Sequence, residues 1–158
     1  MGVVLDSSVI LKALLSPPRN LQEKVLQREV ETHKKSQLIL ELIEEREVEV
    51  HIPAVALVEV AGVIRRLTGD KSKASLASDT IGEMFKVHYD SELLEKAKEV
   101  AILTGASGFD AYFIGLARLL ELPLLTDDRG MHIRAKKIGI NSVLIREASL
   151  SELRDIVR

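Results

Sequence analysis

The sequence predicts an α/β fold of three layers, a parallel sheet flanked by helices on both faces. Three observations carry this expectation. The run Val3-Val4-Leu5 is apolar at every position, as a strand covered on both sides must be. Strand-like runs then alternate with segments of helical period along the rest of the chain. No repeat, low-complexity linker or domain boundary interrupts the 158 residues, which are read as a single domain over 1–158.

Taken in order, the Val3–Leu5 strand ends in Asp6, and Ser7 or Ser8 can cap a helix from about Val9 to Leu15. Pro17-Pro18 stops that helix. Leu21 to Arg46 is highly charged, and apolar residues at Leu21, Val25, Leu38, Ile39, Leu42 and Ile43 predict one or two amphipathic helices. Val48 to Ile52 alternates as a strand, and Pro53 suits the first turn of a helix over Ala54–Leu67 that ends at Thr68-Gly69-Asp70. Helices follow at about Lys71–Met84 and Ser91–Leu103, with a short strand at Phe85–His88 between them. After the loop Thr104–Gly108, a strongly apolar helix runs from Phe109-Asp110 to about Leu120. A strand over Leu122–Thr126 runs into Asp127-Asp128, a helix covers Gly130–Ile138, a last strand covers Ser142–Ile145, and a short helix covers Ser149–Val157.

Composition narrows the function. There is no cysteine, which excludes disulfides and thiolate metal sites. The net charge of −2 argues against a general nucleic-acid coat but not against an enzyme that meets a nucleic acid in one groove. No run of 18 apolar residues offers a membrane span. The opening MGVVLDSSVI has neither a basic region nor a cleavage site, so no export and a cytoplasmic location are expected. No glycine-rich phosphate loop occurs, and Ser7 and Ser8 lack a base that would make either a nucleophile. The histidines at 33, 51, 88 and 132 share no ligand spacing and read as core or solvated residues.

The informative residues are acids. In open α/β sheets the ligand crevice lies beyond the carboxyl ends of the strands. Asp6 follows the first strand there, and Asp127 and Asp128 follow Leu122–Thr126. Glu59 and Asp110 sit on helices expected to pack against the same edge. Each has an ordinary reading: Asp6 or Asp110 as a helix cap, Asp127 and Asp128 as turn residues. Glu59 is the hardest to dismiss, because a carboxylate among Ala54, Val55, Ala56, Leu57, Val58, Val60 and Ala61 is costly without a cation. Four acids at one sheet edge repel unless a hard divalent cation such as Mg²⁺ neutralises them. Nearby basic residues are Lys12, Arg65, Arg66 and Arg129. Of these Lys12, Arg66 and Arg129 are candidates to meet a phosphate.

Asp6-Ser7-Ser8, Glu59 inside an apolar helix, Asp110-Ala111 opening an Ile-Gly-Leu-Ala helix, and Thr126-Asp127-Asp128 together resemble the PIN domain family. More narrowly they look like the VapC-type toxins of toxin–antitoxin pairs. The resemblance implies an endoribonuclease that holds Mg²⁺ or Mn²⁺ through Asp6, Glu59, Asp110 and Asp128. Hydrolysis of RNA would leave a 5′-phosphate and a 3′-hydroxyl. The resemblance makes Ser8 and Thr126 hydroxyls that orient an acid or a metal-bound water. The family pattern of Thr, any residue, then Asp selects Asp128, with Asp127 left as a possible further ligand. It also implies a cognate antitoxin and a homodimer. The stretch 17–49 looks longer than a minimal domain of this kind needs and is read as a helical extension. Two other roles stay open within the family: a housekeeping nuclease of rRNA or tRNA processing, and a catalytically silent interaction module. A phosphoacceptor receiver domain fits less well, because it needs an acidic pair after the first strand and a lysine after a late one.

Overall fold

The computed structural model describes Met1–Arg158. Five parallel strands form one sheet: β1 (Gly2–Leu5), β2 (Glu49–Pro53), β3 (Lys86–His88), β4 (Leu124–Thr126) and β5 (Ser142–Leu144), in the order β3-β2-β1-β4-β5. Eight helices surround it: α1 (Ser7–Leu14), α2 (Glu23–Arg46), α3 (Val55–Thr68), α4 (Lys71–Met84), α5 (Asp90–Thr104), α6 (Gly108–Leu120), α7 (Arg129–Lys137) and α8 (Leu150–Ile156). The three-layer α/β expectation holds. The central strand β1 is buried at every residue, which is why its sequence carries no alternation. One hydrophobic core runs from Val3 to Val157. No single helix is long and apolar enough to cross a membrane.

The strand order places the site. From β1 the chain moves outward through β2 to β3, then returns to the other side of β1 with β4 and β5. The direction of winding therefore reverses between β1 and β4, and a crevice opens beyond their carboxyl ends. The segment after β1 begins with Asp6, and that after β4 begins with Asp127. Helix α6 lies against β1, β2 and β4 and delivers Asp110 to the same edge. Gly115 lets α6 approach α5 closely, since a Cβ there would stand 3.2 Å from the Ala97 backbone nitrogen.

Three local expectations are corrected. The stretch 17–49 is not an appendage: α2 is one helix of 24 residues, packed on α1 and α8. Its second half buries Ile39, Leu42 and Ile43 in the common core, so the charged half hides an integral one. Pro53 ends β2 instead of starting α3, and the Ala54 N–H donates to the His88 carbonyl at 2.7 Å before the helix begins. Neither Ser7 nor Ser8 caps α1. Asp6 occupies the cap position but its side chain makes no capping hydrogen bond, because that carboxylate is engaged elsewhere.

Candidate active site

Asp6 is 4% exposed. Its Oδ2 accepts two hydrogen bonds, from Ser8 Oγ at 2.6 Å and from Thr126 Oγ1 at 2.8 Å. Each hydroxyl is itself fixed from behind. The Asp127 N–H donates to Ser8 Oγ at 3.0 Å, and the Asp128 N–H donates to Thr126 Oγ1 at 3.0 Å. Both hydroxyl protons are thus directed at one oxygen, and Oδ1 of Asp6 accepts none. The two segments leaving β1 and β4 are tied together through this single carboxylate.

The other three expected acids stand around it. Glu59 lies on α3 with its Oε1 buried and without a hydrogen-bond partner. Asp110 is in the first turn of α6, where Ser107 and not Asp110 holds the cap position. Asp128 is the cap of α7 and accepts from the Met131 N–H through Oδ1 at 2.9 Å. The ordinary reading of Asp128 as a helix cap is therefore true of one of its oxygens. Burial pushes Asp6 up from 3.8 to about 6; the Ser8 and Thr126 hydrogen bonds oppose this, and repulsion from Asp110 and Asp128 adds to it. Burial, then repulsion from Asp6 and Asp110, lifts Glu59 to about 7. Burial and Asp128 raise Asp110, against the pull of Arg134. Asp6, Glu59 and Asp110 are thus each raised by burial and by a neighbouring acid, so a cation placed among them would relieve the cost of ionising them.

The residues fit a hard divalent ion. The donors are all carboxylate oxygens, and one of them is buried without a partner. No three of them converge on one point at ligand distance. Mg²⁺ and its congeners keep several waters and take few direct carboxylates, so a loose ring of acids matches that habit better than a closed cage.

The pKa directions fix a pH dependence. Asp6 and Glu59 are raised in the folded protein, so between about pH 4 and 7 the folded state binds more protons than the unfolded one. Stability of the metal-free protein therefore falls as pH rises through that window. A divalent ion binds the ionised acids, so its stabilising effect grows over the same range. Melting temperatures in chelator are expected to decline from about pH 5 to 8, with a widening gap to samples in saturating Mg²⁺. A metal increment that stays flat across this range would contradict the assignment.

Four other residues singled out by their place in the sequence take different roles. Asp127, expected as a further ligand, points away from the acids. It is 3% exposed and lies between Lys12 and Arg146. Burial pushes its carboxyl up, but hydrogen bonds from Arg146 and Lys12 win and hold it low. Lys12, expected to meet substrate, is committed to Asp127 and to Glu29 at 3.0 Å. Arg129 pairs with Glu147 at 2.5 Å. Arg66 is exposed on α3 and pairs with no acid.

The arginine that does reach the acids, Arg134, escapes the reading of the sequence. It stands four residues after Gly130, close to which both its guanidinium and Asp128 Oδ1 lie: a Cβ on Gly130 would be 3.0 Å and 3.2 Å from them. The available signal is the spacing itself, because a helical i, i+4 pair with glycine at the first position lets a long side chain fold back toward the helix start. Arg146 escapes it too, and no local signal marks that residue.

A family model of the PIN domain matches residues 3–137 of this chain. No curated protein matches it. Among solved structures, FitAcB from Neisseria gonorrhoeae is similar, with a TM-score of 0.56 and 16% sequence identity over 92% of this chain and 99% of that chain. At that identity the likeness speaks for the fold.

Proposed function

This chain belongs to the PIN domain family, and from that premise we propose that it is a metal-dependent endoribonuclease acting as the toxin of a VapBC-type toxin–antitoxin pair. PIN domains are generally nucleases. The observation that carries the finer reading is the ring of four carboxylates at the point where the sheet winding reverses, with Glu59 Oε1 buried and unpartnered. Asp6, Glu59, Asp110 and Asp128 would hold Mg²⁺ or Mn²⁺, which supplies Lewis acidity and an activated water for phosphodiester hydrolysis when bound. Ser8 and Thr126 lock the Asp6 carboxylate in one orientation and leave Oδ1 free. The Met131 N–H holds Asp128 by Oδ1, which leaves Oδ2 to accept a proton from the attacking water.

Arg134 replaces Lys12 and Arg129 as the phosphate contact. It makes no ion pair, yet it is near enough to Asp110 to lower that acid. An unpaired guanidinium beside an acidic ring suits the non-bridging oxygens of a monoanionic phosphodiester that approaches with the metal. Purified chain incubated with a single-stranded RNA is expected to cut it in Mg²⁺ or Mn²⁺ and not in chelator. Arg134→Ala should lower kcat/KM by about ten- to hundredfold, the worth of a charge-assisted hydrogen bond. Metal-independent cleavage would refute the reading. Full activity in Arg134→Ala would move the phosphate contact elsewhere.

Two surfaces suit protein partners. An acidic groove offers a docking point for an arginine or lysine of an antitoxin. Val58 stands exposed on α3 at a cleft between α3 and α4 lined by Leu57, Ala61 and Ala74, which gives a homodimer apolar surface to cover. A toxin of this kind would act on RNA in the cytoplasm.

A further inference from the structure

A cleft of about 260 Å³ opens between α1 and α3 and reaches the acidic cluster at Ser8, whose hydroxyl holds Asp6 Oδ2. Helical spacing sets its apolar walls. On α1, Leu11 and Leu15 follow Ser8 at three and seven residues; on α3, Val63 and Leu67 follow Glu59 at four and eight. The cleft is thus a continuation of the helix faces that carry the site. Glu29 and His33 of α2 and the turn at Pro17-Pro18 complete its lining.

Most of its polar groups are already committed. Lys12 pairs with Glu29 and Asp127, and Glu29 also meets Arg28. His33 Nδ1 lies against the Lys12 carbonyl, which can only accept, so the ring carries a proton there and Nε2 is left as an acceptor. At the rim, on α3, stands Arg66, seven residues after Glu59 and on the same helical face. Its guanidinium folds back over Gly62, where a Cβ would be 3.3 Å from Nη1. Gly62 lies about 4.5 Å along the helix axis from Glu59. Arg66 does nothing for that acid, whose shift comes from burial, Asp6 and Asp110. The pairing of Gly62 with Arg66 matches that of Gly130 with Arg134. The two arginines come from the helices that follow β2 and β4, the strands on either side of β1.

We propose that the α1–α3 cleft and Arg66 form a nucleotide subsite beside the scissile bond, which takes one unstacked base of a single-stranded RNA while Arg66 holds that nucleotide's phosphate. This rests on the nuclease reading and adds a substrate requirement to it. Each part of the site answers a part of a nucleotide. The apolar walls suit the face of a base, His33 Nε2 suits a donor on its edge, and the free guanidinium suits its phosphate. Sites for whole small molecules begin at about 300 Å³, so this cleft admits a single base and not the side of a partner's helix. A base held in a duplex cannot turn into it, so the subsite selects single strands. With Arg134 on the scissile phosphate, Arg66 engages a neighbouring one, and the enzyme needs a phosphate beyond the bond it cuts.

The test is an NMR titration of isotope-labelled full-length chain with AMP in chelator, where neither cleavage nor metal bridging occurs. The methyl signals of Leu11, Leu15, Val63 and Leu67 and the ring signals of His33 are expected to shift together and saturate. Ribose 5-phosphate should move the Arg66 side chain and leave those methyl groups nearly in place. Arg66→Ala and Leu67→Glu, both at exposed positions of α3, should each weaken AMP binding by at least about tenfold. In cleavage assays Arg66→Ala should raise KM by about tenfold with little change in kcat, because the contact is the same before and during the reaction. AMP that leaves the cleft signals unmoved, or equal AMP affinity in the wild type and both variants, would overturn the proposal. So would an amphipathic peptide that perturbs the cleft where AMP does not, which would give this surface to a protein partner. AMP bound in the cleft of a chain that never cuts RNA would keep the subsite and sink the nuclease reading alone.

Discussion

Asp6→Asn is expected to lower RNA cleavage by at least about a hundredfold while making the metal-free protein more stable. The two effects have one cause. Asp6 is fully buried, and its ionised form suffers from burial and from Asp110 and Asp128. A shift from 3.8 to about 6 corresponds to about 3 kcal/mol held against the folded state once the acid is ionised. An amide of the same shape has no such penalty. Its oxygen can still accept from Ser8 and Thr126, so the tie between the segments after β1 and β4 survives. What is lost is the charge that the metal requires. At pH 8 in chelator the variant should melt several degrees above the wild type. In saturating Mg²⁺ the order should reverse or close, because the wild type alone gains fully from the ion. A variant that cuts RNA at the wild-type rate would remove Asp6 from the site. One that melts lower than wild type in chelator would show that the carboxylate is not strained by its neighbours.

The sequence reveals most of this architecture because strands covered on both faces and helices covered on one leave different periods. Helix α4 is readable to the residue, Lys71–Met84, and β1 to within one. Four acids are readable as a set, since apolar neighbours make Glu59 anomalous and strand ends make Asp6 and Asp128 conspicuous. What sequence cannot show is which neighbour each side chain meets. Asp127 and Asp128 are adjacent and look interchangeable, yet one faces the acids and the other an ion pair. The difference lies in Lys12 and Arg146, which are 115 and 19 residues away from Asp127. His51 and His88 are 37 residues apart and hydrogen-bond only through the β2–β3 register. The charged stretch of α2 misleads for a related reason. Its average composition is polar, and the apolar residues that join it to the core, Leu38 to Leu40 with Leu42 and Ile43, are confined to its second half.

Arg146→Ala should destabilise the protein by about 3 kcal/mol and lower its melting temperature by roughly 6–12 °C. Arg146 follows β5 and grips Asp127 at both oxygens, Nε to Oδ1 and NH2 to Oδ2, each at 3.1 Å, with a further bond from NH2 to the Asp127 carbonyl at 2.8 Å. The Asp127 side chain is 1% exposed, so it cannot recover by hydration what it loses. Lys12 remains as a single cation, which is why the expected cost sits at the low end for breaking a buried pair. Arg146→Lys should recover only part of the loss, since one ammonium cannot span both oxygens and the carbonyl. The effect should reach the chemistry as well. The Asp127 N–H holds Ser8, and Ser8 holds Asp6, so loosening Asp127 frees the carboxylate on which the metal depends. Cleavage assayed well below the melting temperature of the variant should therefore fall, and raised Mg²⁺ should restore part of it. A melting temperature within about 1 °C of wild type would show that Lys12 and the backbone N–H of residue 146 suffice to hold Asp127. A large drop in stability with unchanged cleavage would show that the Asp127–Ser8–Asp6 relay does not govern the site.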